Sequence, residues 1–477
     1  MSETKSVQVE KQMTLPKYMP WVFFSYNFLD QFKRIISSTF LLFFITEYTG
    51  ISATAMAAVM TIARVADLIC SLFSGAIVQN SNTKFGAYRP WLIGCAVAVW
   101  TGVAMCFSNP PGFSITAKLV LVAVGYMADG FAMNFITVAQ NSLMAKVAGP
   151  NPTNRLALSS KRAQGTNASR VVTSALTLPL VTLFLNMGAN GYFIVSMIYG
   201  VVGLVAAIML FVVTKEYDKY SPEIKTDSGF SASMSKLFKM YGSAFRNPMI
   251  WVLFLADSLN RFGQQSMQGG QVYYFRYSAN NLMYQTLAGT VSSFVAMGAA
   301  MLVVPLARKL GKKKSSLLAN GGAAISYVII AFTCDKNPML YIVLSSFVLT
   351  FQAILLSFGV NLWLDVAEIQ LHETGDDNRP FIMSLWNIPI KIGFIAQAPA
   401  LAFMLNGSNY QVIDTVGSIP DTSIFVRYFG LIPALLYACA ALVMLFLYKV
   451  SETRAAECAA LNAQAAAEKK AAAAAST

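Results

Sequence analysis

Histidine is almost absent from this sequence: one residue, His372, in 477. A lone imidazole leaves no His/Glu set for a catalytic metal and no Ser–His–Asp arrangement, which argues against an enzyme. We place His372 at a loop edge rather than in a proton relay. Cysteine is sparse too, and Cys70, Cys95, Cys106, Cys334, Cys439 and Cys458 show no metal-ligand spacing. Most fall in apolar stretches and are read as small core residues. The sequence lacks a Gly-x-x-x-x-Gly-Lys-(Ser/Thr) loop, so nucleotide hydrolysis is not its energy source. Charged residues make up only 12%, half the share of an ordinary soluble domain. The polar N-terminus has no short apolar core with a cleavage site, and no signal peptide is expected to be removed.

What fills the chain is apolar: 56% hydrophobic residues and a mean hydropathy of +0.54. That composition implies an all-α integral membrane protein with about twelve helices of roughly 20–25 residues. Spans are expected near 21–46, 52–79, 91–108, 115–146, 163–187, 190–214, 246–275, 284–307, 316–334, 338–367, 380–405 and 424–448. A tail (1–20), a first half (21–214), a central loop (215–245), a second half (246–448) and a tail (449–477) follow from them.

The formal net charge of +13 does not point to nucleic acid. Basic residues gather in alternate short loops: Lys84 and Arg89, Arg155 with Lys161 and Arg162, the central loop, and Arg308 to Lys314. Intervening loops are nearly free of them, with Asp414 and Asp421 in the last. This one-sided bias sets the basic loops and both termini in the cytoplasm. The fold class is therefore twelve transmembrane helices in two six-helix halves, with the bilayer and a small-molecule solute as partners. A monomer without cofactor is expected.

Charges inside the spans carry the functional signal, because an ionised group at the bilayer centre costs about 2.5–3.5 kcal/mol and needs a protein interior or water. In the second span Arg64, Asp67, Ser71 and Ser74 line one stripe at about 100° per residue. The first carries Asn27, Asp30, Gln31, Arg34 and Ser37 on one face, with Lys33 off it; Asp30 and Arg34 stand a turn apart and can pair. The fourth offers Asp129, Asn134, Thr137, Gln140 and Asn141. The seventh contains Asp257, Asn260, Arg261 and Gln264; the tenth Asn361, Asp365, Glu368 and His372; the eleventh an isolated Lys391. Single polar groups serve as helix–helix glue, whereas ionisable groups aligned on several helices point to a solute path.

Three ordered stretches resemble the glycoside–pentoside–hexuronide:cation symporters, the melibiose-permease branch of the major facilitator superfamily. They are Arg64-Val-Ala-Asp67 through Gly86-Ala-Tyr-Arg89-Pro90-Trp91, then Asn154-Arg155-Leu156 through Lys161-Arg162, and Asp365-Val-Ala-Glu368 through Arg379 and Ser384 to Lys391-Ile-Gly393. The resemblance implies cation-coupled uptake of a sugar or glycoside by alternating access, with H⁺ or Na⁺ as coupling ion. It assigns Asp67, Ser71 and Asn134 to the cation. Ser71 replaces the family's second carboxylate, which favours H⁺, since one acid makes a poor metal cage. Substrate contacts fall to Asp30, Gln31, Arg34, Thr137, Asn141, Arg162, Arg261 and Lys391. Gln31 and Thr137 stand where the family has acids, so the pocket is less anionic and suits an acidic sugar such as a glucuronide. Arg64, Arg89, Arg155, Lys161, Asp365 and Glu368 are assigned to gating. An uncoupled facilitator and a non-transporting lipid-handling or sensory protein remain the alternatives.

Overall fold

The computed structural model describes residues 15–79, 81, 83–149, 152–218, 246–375, 382, 385–413 and 416–475. Most of the central loop (219–245), Arg379, Ser384 and Asp414 lie outside the described residues.

Helices dominate: α1 (Met19–Tyr48), α2 (Ala53–Gln79), α3 (Arg89–Cys106), α4 (Ile115–Ala148), α5 (Pro152–Asn186), α6 (Gly191–Val213) and α7 (Pro248–Tyr273). The Tyr284–Thr333 helix breaks at Gly311, whose φ of 77° few other residues tolerate, into α8 (284–310) and α9 (312–333). Then come α10 (Pro338–Thr374), α11 (Asn387–Gly407), α12 (Thr422–Phe446) and α13 (Glu452–Ala475). Strands β1 (Gln411–Ile413) and β2 (Val416–Ser418) form a small antiparallel hairpin before α12.

The helix starts are legible residue by residue. Proline opens the first turn of α1, α3, α7 and α10, where its missing N–H costs nothing. Ser114, Asn190 and Asp421 cap α4, α6 and α12 by accepting early backbone N–H groups.

Nine described segments are long and apolar enough to cross a bilayer. Two others, α1 and α7, miss that measure because of the charges and amides already singled out. The observed helices follow the expected spans closely, with one informative difference. Helix α5 begins at Pro152, so the Arg155–Arg162 motif expected in a loop is helical. A polar helix can extend past the bilayer, and hydropathy marks only the part inside it.

The chain divides into two compact units. The first takes residues 1–227, 281–293 and 410–418; the second takes the remainder. In the first, α1 packs on α5 and α6, α2 on α4, and α3 on both α4 and α6. Gly102 and Gly125 let the α3 and α4 backbones touch: a Cβ on either would fall 2.6 Å from the other's carbonyl oxygen. Met19, Phe23, Tyr26, Leu92, Leu143 and Leu210 share its apolar core. In the second, α7 packs on α11 and α12, and α13 lies along α10. Its core gathers Ile250, Leu253, Trp363, Val366, Met444 and Tyr448.

Candidate functional site

The polar face of α1 forms the first cluster. Asp30 is buried, and its carboxylate meets Lys33 Nζ at 2.6 Å and Arg34 Nη2 at 3.1 Å. Lys33, which the helical stripe leaves aside, is the more enclosed of the two cations. Three residues separate it from Asp30, within reach along a helix, and Gly203 of α6 leaves room for its methylenes. Arg34 stays about one-third exposed. One turn earlier, Asn27 accepts a 2.9 Å hydrogen bond from Gln140 Nε2 and ties α1 to α4. On α5, Arg162 donates to Asn141 Oδ1 of α4. Gln31 is half-buried, and Thr137 donates its hydroxyl to Met133 within its own helix.

The second cluster lies between α2 and α4. Buried Asp67 accepts a 2.7 Å bond from Asn134 Nδ2 and sits 3.7 Å from Arg64 Nη1. The Arg64 guanidinium also stacks over Tyr126, 4.3 Å from the ring centre, a contact of about 0.5–2 kcal/mol. Two of the three expected cation-site residues, Asp67 and Asn134, thus meet directly. Ser71 gives its hydroxyl proton to the Leu68 carbonyl at 2.6 Å. Asp129, outside the expected set, stands half-buried on α4 in the electrostatic reach of Arg64.

The Gly86–Trp91 turn is held by a residue that no motif indicated. Asp218, after α6, is fully buried; it accepts backbone N–H groups from Ala87, Tyr88 and Arg89 at 2.8–3.2 Å and pairs with Lys146 at 2.8 Å. It neutralises the positive N-terminal end of α3. Burial pushes its carboxyl up, but Lys146 and these N–H groups outweigh that and hold it below the ordinary range. Arg89 binds the carbonyls of Phe211 and Phe85. Arg155 donates to the Gly149 carbonyl at the end of α4, and Lys161 lies 3.7 Å over the Trp21 ring. Each expected gating cation of this unit is therefore engaged locally.

The second unit has its own polar centre. Asp257 of α7 accepts the Trp363 indole N–H at 2.7 Å, and Arg261 donates to Gln264 at 3.0 Å. Asp257, Arg261 and Gln264 line a small cavity with Asn260, Gln352 and Trp386. Lys391 is half-buried on α11. Farther along α10, Asp365 pairs with Lys312 at 2.6 Å, and Glu368 accepts from Asn462 of α13 at 2.8 Å. Glu452 of α13 accepts the Lys313 backbone N–H just past the Gly311 break. His372 is exposed in the last turn of α10.

Buried ion pairs on several membrane helices need a family to give them meaning, and one matches. Residues 26–452 fit the family described as MFS/sugar transport protein. The chain belongs to that family. This transporter is 27% identical to the isoprimeverose transporter of Lactiplantibacillus pentosus, over 65% of its own length and 64% of the relative's. It is 22% identical to the glucuronide carrier protein homolog of Escherichia coli (strain K12), over 80% of this chain and 81% of that one. Among solved structures it superposes on a D-xylose-proton symporter with a TM-score of 0.63, at 14% identity, covering 93% of this chain and 99% of that one. That likeness speaks for the fold alone. The resemblance read from the three motifs holds at the family level, and the protein is a multi-pass membrane transporter rather than an enzyme.

Proposed function

We propose that this transporter is a proton-coupled symporter of sugars or glycosides, working by alternating access, with an acidic sugar such as a glucuronide as preferred cargo. One observation carries the acidic cargo: Asp30 is shared by Lys33 and Arg34, leaving one positive charge in excess on α1. Arg162 adds another cation whose side-chain partner, Asn141, is neutral. Guanidinium groups offer paired N–H donors that match a carboxylate. A relative named as a glucuronide carrier homolog supports the same cargo class. In this reading Asp30, Gln31, Arg34, Thr137, Asn141 and Arg162 contact substrate in the first half (21–214), and Arg261 and Lys391 in the second (246–448). The chain acts as a monomer with both termini and the 215–245 loop cytoplasmic, since the basic loops share that side.

Proton rather than sodium coupling is supported by the chemistry around Asp67. Asn134 meets it through an amide nitrogen, a donor, where a metal ion needs oxygens. Reconstituted vesicles test the proposal. Under an inside-alkaline pH gradient, labelled glucuronide should accumulate above equilibrium and be released by an uncoupler. Accumulation driven only by a sodium gradient overturns the ion, equilibration without accumulation makes the protein a facilitator, and no flux of any tested sugar makes it a non-transporting relative.

A further inference from the structure

Helices α1 to α6 contain four acids, and the structure separates them. Asp30 has Lys33 and Arg34, Asp67 has Asn134 and Arg64, and Glu47 accepts from Tyr410. Asp129 has neither a hydrogen bond nor an ion pair among the described residues, although it stands mid-helix on α4. The charged and titratable groups facing it are Arg64 and Asp67 on α2, Lys33 and Arg34 on α1, Cys106 on α3, and Tyr126 on its own helix. Its neighbour Gly130 packs against the Asp67 carboxylate, so both acids share one surrounding. A single guanidinium, Arg64, cannot balance two carboxylates, and it lies within ion-pair distance, 3.7 Å, of Asp67.

We propose that Asp129 carries the coupled proton, while Asp67 is the fixed counter-ion of Arg64. This rests on the proton-symport reading above and names its coupling group. The charges also explain why proton and cargo travel together. Arg64, Asp67 and Asp129 sum to minus one; Asp30, Lys33 and Arg34 sum to plus one. With neither ligand bound, the two clusters offset each other. A proton alone on Asp129 leaves the α1 cluster positive, and an anion alone on Arg34 leaves the α2–α4 cluster negative. Between these two clusters only the empty and doubly loaded states balance, and Arg162 with its neutral partner adds the same charge to every state, so each ligand strengthens binding of the other, and the linkage is reciprocal.

Binding of a nitrophenyl glucuronide to the purified protein across pH tests this directly. Wild-type affinity should weaken by up to about tenfold per pH unit on the alkaline side. Asp129→Asn should bind with flat pH dependence, Asp129→Glu should restore a displaced pH profile, and Asp67→Asn should keep a slope. In vesicles, Asp129→Asn should lose gradient-driven accumulation while exchange of labelled for unlabelled cargo persists. If Asp129→Asn fails to fold, proton uptake on adding the glucuronide to unbuffered wild type, set against Asp129→Glu, decides the matter. A slope that survives in Asp129→Asn, or wild-type binding without proton uptake, overturns the assignment. Pronounced pH-linked binding with no pH-driven accumulation instead overturns the symport reading and leaves Asp129 as the proton site.

Discussion

Lys33 Nζ lies 2.6 Å from Asp30 Oδ1, with the two side chains only 1% and 2% exposed. Breaking a buried pair from one side costs about 3–5 kcal/mol, because the remaining charge stays dehydrated. Asp30→Ala strands Lys33 and should lower the thermal midpoint in detergent more than Lys33→Ala does, since Arg34 still compensates Asp30. The double variant should recover part of the loss. Equal losses in both single variants would count against a buried pair.

The Asp218 anchor predicts a pH signature. Its folded carboxyl sits below the ordinary Asp value of about 3.9. The stabilisation is thus fully present above that value and is lost as pH falls through the lower folded one. Asp218→Asn should melt below wild type at pH 7, and the gap should close in acid below about pH 4. A gap independent of pH would mean that shape, not charge, holds the Gly86–Trp91 turn.

Arg162 and Lys391 should each matter for cargo affinity. Arg162→Ala and Lys391→Ala should weaken glucuronide binding by about ten- to a hundred-fold, the worth of one charge-assisted hydrogen bond. A neutral xyloside should lose much less. Unchanged glucuronide affinity in folded protein returns both residues to a structural role.

Sidedness is checked by labelling. In a chain cleared of its native cysteines, Arg155→Cys should react with an impermeant maleimide only from the cytoplasmic face, and Asn409→Cys only from the opposite face. Labelling of both from one side would overturn the positive-inside assignment.

Most of the fold was legible because helix length and apolarity are local properties. The twelve expected spans fall on α1 to α12, and proline and cap residues mark several starts. The site was legible in part. Asp67 with Asn134, and Arg162 with Asn141, are residues singled out in the sequence that the structure brings together. Lys33 was passed over because a narrow stripe understates a helix enclosed on several sides by α5 and α6. Asp218 was invisible for another reason: its partners lie about 130 residues earlier, at Tyr88 and Arg89, and no periodicity encodes that return. For Asp129 the signal was present, a lone acid in an apolar span, but its lack of a partner among the described residues is a fact of packing.

The touching backbones at Gly102 and Gly125 act on Asp129 from one turn away, since a Cβ at Gly102 would also lie 3.0 Å from the Asp129 backbone nitrogen. Side chains can shift without consequence for the crossing, but the crossing itself sets the depth of the acid. A methyl group inserted there would change no charged residue of the sequence and still shift Asp129 relative to the others. On the proton-symport proposal, such a transporter would slip, letting protons run down their gradient without cargo. A cell expressing it would suffer from a leak rather than from hunger, and these two glycines are where a wasteful phenotype would arise with an intact set of polar residues.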